Sequence, residues 1–357
     1  MDTAHRTLRP TPEQLPDAVV DIVRSRIPGA EDARITNWHS APMGRSTETY
    51  LFDVVDVRGC DGHIGDEPLG LVLRRPPEYA VLPDFDLRRQ YLTMQRLGGS
   101  GVPVPTMRWI DPDTDALGTP YFVMDRIDGV STVSDMPPYH QEGIYADTDD
   151  AGRARYWNGC VDLIAATHAV DVDRHRLGFL ALDAFGAEPA EQVISFLRHG
   201  LTWAADGAPM KPAFTQALSW LEHHTYQPSR MTLCWGDSRM SNVLYAPDRT
   251  PVAAVDWEVA YLGDPAGDLA WMFLTDWVSS PLPDHASAAG TPSRAETLDR
   301  YEQLTGHRVE NMLFADVAAA LLLGIVLIRL NTSLGLDGID LTDICAQRLD
   351  LVLGGGV

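Results

Sequence analysis

The chain has 357 residues, 45% hydrophobic and 22% charged, with 50 acidic side chains against 28 basic ones and a net charge of −22. A chain of that length buries a large core and is expected to form two or three structural units. Its charge excludes a general binder of phosphate backbones or anionic membranes, and its four scattered cysteines (Cys60, Cys160, Cys234, Cys345) form neither a disulfide framework nor a metal-ligand spacing. Such cysteine usage fits a reducing cytoplasm, and the opening MDTAHRTLRPTPEQ has no apolar stretch of the signal-peptide kind. The most apolar run, Val317 to Ile328, has twelve residues, fewer than the roughly 20 that span a bilayer, and reads as a buried core helix. Lys211 is the single lysine, so basic chemistry elsewhere must use arginine or histidine.

In chain order, residues 12–27 show helical spacing. Strands are predicted at Ile35–Trp38, Thr49–Val57 and Leu69–Arg74, the last stopped by a proline pair. DFDLRRQYLTMQRLGG reads as a helix with Asp84 as a candidate N-cap. Two more strands follow, Thr106–Ile110 and Tyr121–Ile127. Residues 128–150, polar with six acids, read as a linker or mobile flap. Helical patterns fill 151–226, a strand-rich stretch covers Met231–Asp256, and helices resume from 266. A sheet-containing unit, 1–127, therefore precedes a mostly helical one, 128–357.

The segment CWGDSRMSNVLYAPDRTPVAAVDWEVAYLGDPAGDLAWMF carries the chemistry. Asn242 follows Asp237 by five positions, and Asp256 lies fourteen beyond, after the apolar VAAV. NVLYAPDRTPVAAV reads as a hairpin turning at Pro247 and Asp248. A hairpin brings its ends together, so an amide oxygen (Asn242) and a carboxylate (Asp256) converge, a donor set suited to Mg²⁺. Asp237 sits in the preceding loop, able to approach a substrate hydroxyl. Any one of the three alone reads as a turn or capping residue; the three together favour the functional reading.

The Asp-x-x-x-x-Asn spacing with a later Asp is that of the protein-kinase catalytic loop. Its surroundings resemble the aminoglycoside phosphotransferase and choline kinase family, most of all the kinase-like domains fused to some acyl-CoA dehydrogenases. That family writes His-Gly-Asp-x-x-x-x-Asn and then Asp-Trp or Asp-Phe; here stand Trp235-Gly236-Asp237, Asn242 and Asp256-Trp257, followed by GDPAGDLAW with Asp264 and Asp268. The departure is Trp235 in place of histidine. The likeness, over roughly residues 35 to 330, implies an α+β, bilobal protein-kinase-like fold with a small antiparallel-sheet lobe and a large, mostly helical lobe. It implies an ATP- and Mg²⁺-dependent phosphotransferase acting on a small hydroxyl-bearing substrate, with no nucleic-acid or membrane partner. Asp237 would be the base, Asn242 and Asp256 the metal ligands, and Glu258 a further acid beside the metal.

By the same resemblance, Gly44, Ser46 and Thr47 would cover the phosphates, and the backbone of Asp125, Arg126 and Ile127 would hold adenine. The phosphate-gripping lysine of such enzymes is missing from the third strand. Arg74 stands there instead, with Arg75 on the opposite face and Gln90 where related sequences carry a glutamate. His168 is expected to have a core or capping duty. The acceptor could be an aminoglycoside or, from the dehydrogenase-linked domains, a hydroxy acid or hydroxyacyl thioester. Two rivals are a non-catalytic nucleotide-binding pseudokinase and, since Gly236–Arg239 resembles the nucleophile block of GDS-type esterases, a hydrolase using Ser238. The latter lacks a suitably placed Asp-x-x-His, its one instance being Asp2 to His5.

Overall fold

The structure, a computed structural model, describes residues 9–41, 47–57, 67–84, 86–282, 285–335 and 339–355. Gly44 and Ser46 lie outside these residues, as do Cys60 and the Asp2–His5 pair. The chain divides into two compact units. The first runs to residue 78 and adds 86–95 and 105–128; the second takes 79–85, 96–104 and everything from 129 onward. Two short stretches before residue 128 therefore belong to the second unit.

In the first unit, α1 (Leu15–Arg26) starts with Pro16 and Asp17 in its first turn, where a missing N–H and a negative charge are both favourable. Its Leu15, Val19 and Val23 recur every fourth residue and are buried, each worth about 1.5–3 kcal/mol of burial. They pack on Tyr50, Phe52, Val54, Leu71, Leu73 and Val123 of the sheet. The sheet comprises β1 (Arg34–Ser40), β2 (Glu48–Val55), β3 (Leu69–Arg75), β4 (Met107–Asp111) and β5 (Tyr121–Asp125), in the order β1-β2-β3-β5-β4. Each neighbouring pair is antiparallel. Helix α2 (Leu87–Leu97) follows β3. Asp86 rather than Asp84 caps it, since an Asp86 carboxylate oxygen accepts the Arg88 N–H at 2.9 Å. Asp84 adopts φ 51° and its carboxylate pairs with His199 at 2.7 Å.

The second unit holds α3 (Asp150–His168), α4 (Pro189–Ala205), α5 (Pro212–His223), α6 (Ala266–Ser279), α7 (Arg294–Thr305), α8 (Met312–Leu334) and α9 (Asp343–Leu353). Short strands β6 (Thr232–Cys234) and β9 (Tyr261–Gly263) pair with each other, and β7 (Val243–Tyr245) pairs with β8 (Pro251–Ala254). Strand β9 has no counterpart in the sequence reading. Helix α8 is longer than the apolar run inside it. Its 23 residues are long and apolar enough to cross a membrane, yet it packs against α4, α6 and α9, with Val317, Ala320, Leu321 and Ile325 in one buried cluster.

Residues 128–150 are not a mobile flap. They are short of regular structure, but Val133, Tyr139 and Tyr145 are buried. The Tyr139 hydroxyl donates to Asp276 of α6 at 2.6 Å, and Ser131 exchanges two backbone hydrogen bonds with Tyr245 at 2.9 and 2.8 Å. Four of the six acids have partners: Asp128 with Arg126, Asp135 with Arg239, Asp150 with Arg153, and Asp149 with the Gly152 N–H at the start of α3.

Candidate active site

Asp237, Asn242 and Asp256 all lie in the second unit. The β7–β8 hairpin pairs Val243 with Ala254, and the Val255 N–H donates to the Asn242 carbonyl at 2.9 Å. Asn242 and Asp256 therefore stand side by side at the hairpin's open end, as the turn at Pro247 and Asp248 predicts. The Asn242 amide nitrogen donates to an Asp237 carboxylate oxygen at 2.7 Å and to the Asp237 carbonyl at 2.9 Å. With the nitrogen so spent, the amide oxygen is the atom left for a cation. Asp256 takes φ 63°, a left-handed conformation that costs a non-glycine residue about 1–3 kcal/mol and is typical of functional positions.

The Asp237 side chain is 13% exposed and is surrounded by donors. The Trp271 indole N–H donates to Oδ1 at 2.7 Å, Asn242 donates to Oδ2, and the Arg239 guanidinium approaches Oδ1 to 2.9 Å. Burial raises the pKa of Asp237 above its ordinary value; Arg239 opposes this, and the Asp256 charge adds to it. A raised pKa makes the carboxylate a better proton acceptor. Arg239 is in turn held by Asp135 at 2.6 Å. Burial works against its charge, and Asp237, Asp135 and Asp256 together overcome that and keep it charged.

The loop is framed by Asp268, in the first turn of α6 and fully buried. Its carboxylate accepts the backbone N–H groups of Trp235 at 2.7 Å and Gly236 at 2.8 Å, and its carbonyl accepts the Ser238 hydroxyl at 2.7 Å. His168 at the end of α3 contacts the same carboxylate at 2.9 Å and the Tyr301 hydroxyl at 2.7 Å. Trp235, in the histidine position, puts its indole N–H on the Val255 carbonyl at 2.9 Å and stacks on Trp257 at 5.4 Å. It thus ties the loop to the strand that presents Asp256. Gly236 is obligatory: at φ 85°, an added Cβ would lie 2.2 Å from the Val259 carbonyl oxygen. Gly236→Ala is expected to lower unfolding free energy by at least about 1–3 kcal/mol from backbone strain alone. An unchanged midpoint in urea denaturation would contradict this.

Ser238 is fully buried with its hydroxyl spent on Asp268, so it is no nucleophile and the esterase reading falls. Among the described residues, His168, Cys234 and Asp268 also have ligand atoms within 4.8 Å of one another. Both ring nitrogens of His168 and both Asp268 oxygens are already hydrogen-bonded, which makes this a structural cluster.

In the first unit, Arg74 is buried on β3, paired with Thr49 and Phe122. Gln90 on α2 is fully buried, not a surface residue, and Thr47 is buried ahead of β2. Arg75 faces away, clamped by Glu48 at 2.7 Å and by the Pro10 carbonyl at 3.1 Å. At the end of β5, the Asp125 N–H is taken by the Thr106 carbonyl at 2.8 Å and the Arg126 N–H by Gly70 at 3.0 Å. Those two amides are spent inside the sheet, which narrows a backbone contact with adenine to the carbonyls and the Ile127 amide. The Arg126 side chain is engaged as well, pairing with Asp53 and Asp128 at 2.6 Å each.

The sequence model of the phosphotransferase enzyme family (APH) matches residues 42–304. The chain belongs to this family. Its fold is the α+β kinase-like fold shared by that family's solved structures. One relative is acyl-CoA dehydrogenase family member 10 of Mus musculus, 29% identical over 251 residues, or 67% of this chain and 20% of the mouse protein. The chain thus spans about a fifth of that relative. Among solved structures, a candidate aminoglycoside phosphotransferase from Ralstonia eutropha JMP134 has a TM-score of 0.68 at 21% identity, covering 95% of this chain and 96% of that one. A thermostable variant of aminoglycoside phosphotransferase APH(4)-Ia, solved with ADP and hygromycin B, has a TM-score of 0.57 at 13% identity, covering 95% and 99%.

Proposed function

We propose that this phosphotransferase-family chain moves the γ-phosphoryl group of ATP to a hydroxyl of a small molecule. The observation that carries this is the Asp237 carboxylate, fixed by Trp271 and Asn242 at the mouth of a hairpin whose two ends carry Asn242 and Asp256, the latter close enough for its charge to act on Asp237. A pure nucleotide binder needs no half-buried, pre-aimed carboxylate of raised pKa beside such a pair. The APH(4)-Ia complex with ADP and hygromycin B supports the use of a nucleotide together with a small acceptor.

In this reading, Asp237 orients the acceptor hydroxyl and takes its proton on Oδ2, which keeps a free lone pair beside the Asn242 contact. Asn242 and Asp256 supply oxygen ligands that suit Mg²⁺, a hard cation. When bound, Mg²⁺ neutralises charge on the transferring phosphate. Asp268 and Gly236 hold the loop backbone so that Asp237 does not have to be ordered at the moment of reaction. Glu258, two residues past Asp256, is a further acid for the same site.

Arg74 is assigned the phosphate grip, since it occupies β3 where a lysine would otherwise stand and a guanidinium fork can hold phosphate oxygens at two points. Gln90, Thr47 and the edge at Ile127 complete the nucleotide-binding set, with Gly44 and Ser46 retained from the sequence. Arg74→Ala is expected to weaken MgATP binding by about 1.5–3 kcal/mol, the worth of hydrogen bonds to a charged group. Calorimetric titration checks it, and unchanged affinity removes Arg74 from the grip. Asp256→Ala is expected to reduce the magnesium dependence of nucleotide binding, and an unaltered dependence removes Asp256 from the metal set.

The acceptor is an aminoglycoside-like polyol or, on the similarity to the dehydrogenase-linked relative, a hydroxy acid or hydroxyacyl thioester. The internal partners of Asp128, Asp135, Asp149 and Asp150 leave less free negative charge on 128–150 to attract a polycation. The testing experiment is ATP consumption across aminoglycosides, choline, sugars, hydroxy acids and hydroxyacyl thioesters. Acceptor-dependent consumption supports the proposal; nucleotide binding with none favours the pseudokinase. A reducing cytoplasm remains our proposed setting, with Cys160, Cys234 and Cys345 free and buried.

A further inference from the structure

We infer that Trp271 is a positioning residue for the base, keeping Asp237 aimed at its substrate and limiting Arg239 to one off-axis contact with it. This rests on the reading of Asp237 given above. A carboxylate beside a guanidinium ordinarily settles into a forked, two-bond pair. Here it does not. Arg239 Nε lies 2.9 Å from Asp237 Oδ1, yet that buried N–H makes no aligned hydrogen bond. Two contacts account for this. The Trp271 indole N–H occupies Oδ1 at 2.7 Å, fixing the carboxylate plane together with Asn242 on Oδ2. Asp135 draws the guanidinium the other way at 2.6 Å through Nη1.

Trp271 is well placed for the task. It stands three residues after Asp268 on α6, so both project from one face of the helix toward the loop. Asp268 fixes the loop's backbone and Trp271 fixes the side chain the loop presents. The ring is anchored among Ala270, Leu274, Trp277 and Ala319 in a buried cluster. An indole held this way loses little freedom when it donates, and a donor in a site of low dielectric is a strong one.

The test compares Trp271→Phe with Trp271→His. Three readouts are used: single-turnover hydrolysis of MgATP with water as acceptor, MgATP affinity, and the indole N–H spectrum of the ¹⁵N-labelled protein. Trp271→Phe removes the donor and keeps most of the apolar volume. It is expected to slow turnover about 10–100-fold, the usual worth of an orienting partner, with MgATP affinity unchanged. Trp271→His restores a ring N–H in a smaller, more polar side chain and is expected to turn over faster than Phe. A purely structural role predicts the reverse order, because histidine fits an apolar cluster less well than phenylalanine. In the wild-type spectrum, the Trp271 indole proton is expected downfield, and Asp237→Asn is expected to shift it. Wild-type turnover in Trp271→Phe, His slower than Phe, or an indole signal indifferent to Asp237→Asn would overturn the inference. Wild-type turnover in Asp237→Asn with the indole signal shifted would instead overturn the base reading and leave the Trp271 contact standing.

Discussion

Asp237→Asn is expected to lower phosphoryl-transfer turnover by about 10²–10⁴-fold, the range of general base catalysis, while MgATP affinity stays close to wild type. The substitution keeps shape and removes the charge and the basic lone pairs. It also has a local consequence. Asp237 accepts from Trp271 on one oxygen and from Asn242 on the other. An amide offers one oxygen, so whichever way it turns, an N–H₂ faces one of those donors. The lost contact costs about 1–3 kcal/mol if the orphaned donor stays buried. Turnover is therefore compared at temperatures where both proteins are fully folded, with nucleotide affinity as the control for an intact site. Full activity in this variant would sink the mechanism.

The largest effect on stability is expected at Asp268. Asp268→Asn is nearly isosteric, but the native carboxylate accepts on both oxygens: Trp235 N–H and His168 on one, Gly236 N–H on the other. The new amide nitrogen must face a backbone N–H or the histidine, donor against donor. Removing one partner from a buried charged network typically costs about 3–5 kcal/mol. The loop then loses the frame that aims Asp237, so turnover is expected to fall as well although Asp268 touches no substrate. Urea denaturation read against the wild type measures the first effect, and a rate assay under folding conditions measures the second. A variant within experimental error of wild type in both would show that the loop is framed by something else.

The contrast between what the sequence revealed and what it hid follows chain separation. Asn242 and Asp256 were legible as neighbours because a single hairpin with local turn chemistry carries them at its two ends, and Asp237 lies only five residues before Asn242, which hydrogen-bonds to it. The strands of the first unit were legible because alternation and β-branched residues mark half-buried sheet. His168 meets Asp268 across 100 residues and Arg239 meets Asp135 across 104, and no spacing rule spans such distances. Trp271 carried one usable signal, its i+3 relation to Asp268 on a helix opening with GDPAGD. Segment 128–150 misled because its polarity and lack of periodicity resemble a linker, whereas Val133, Tyr139 and Tyr145 bury it. The cap of α2 misled for a smaller reason. Asp84 and Asp86 are both plausible caps by type, and the second makes the bond.

Everything proposed for this chain depends on transfer of the γ-phosphoryl group at the Asp237 site. The most direct measurement follows the γ-phosphorus itself, by ³¹P NMR of MgATP with the protein and an acceptor panel, in wild type and Asp237→Asn side by side. Wild type is expected to convert ATP to ADP with a new phosphate-ester resonance that depends on one class of acceptor, and Asp237→Asn, binding MgATP equally well, is expected to produce neither. Bound but unconverted ATP in wild type with every acceptor, or an ester resonance growing at the same rate in both proteins, would contradict it.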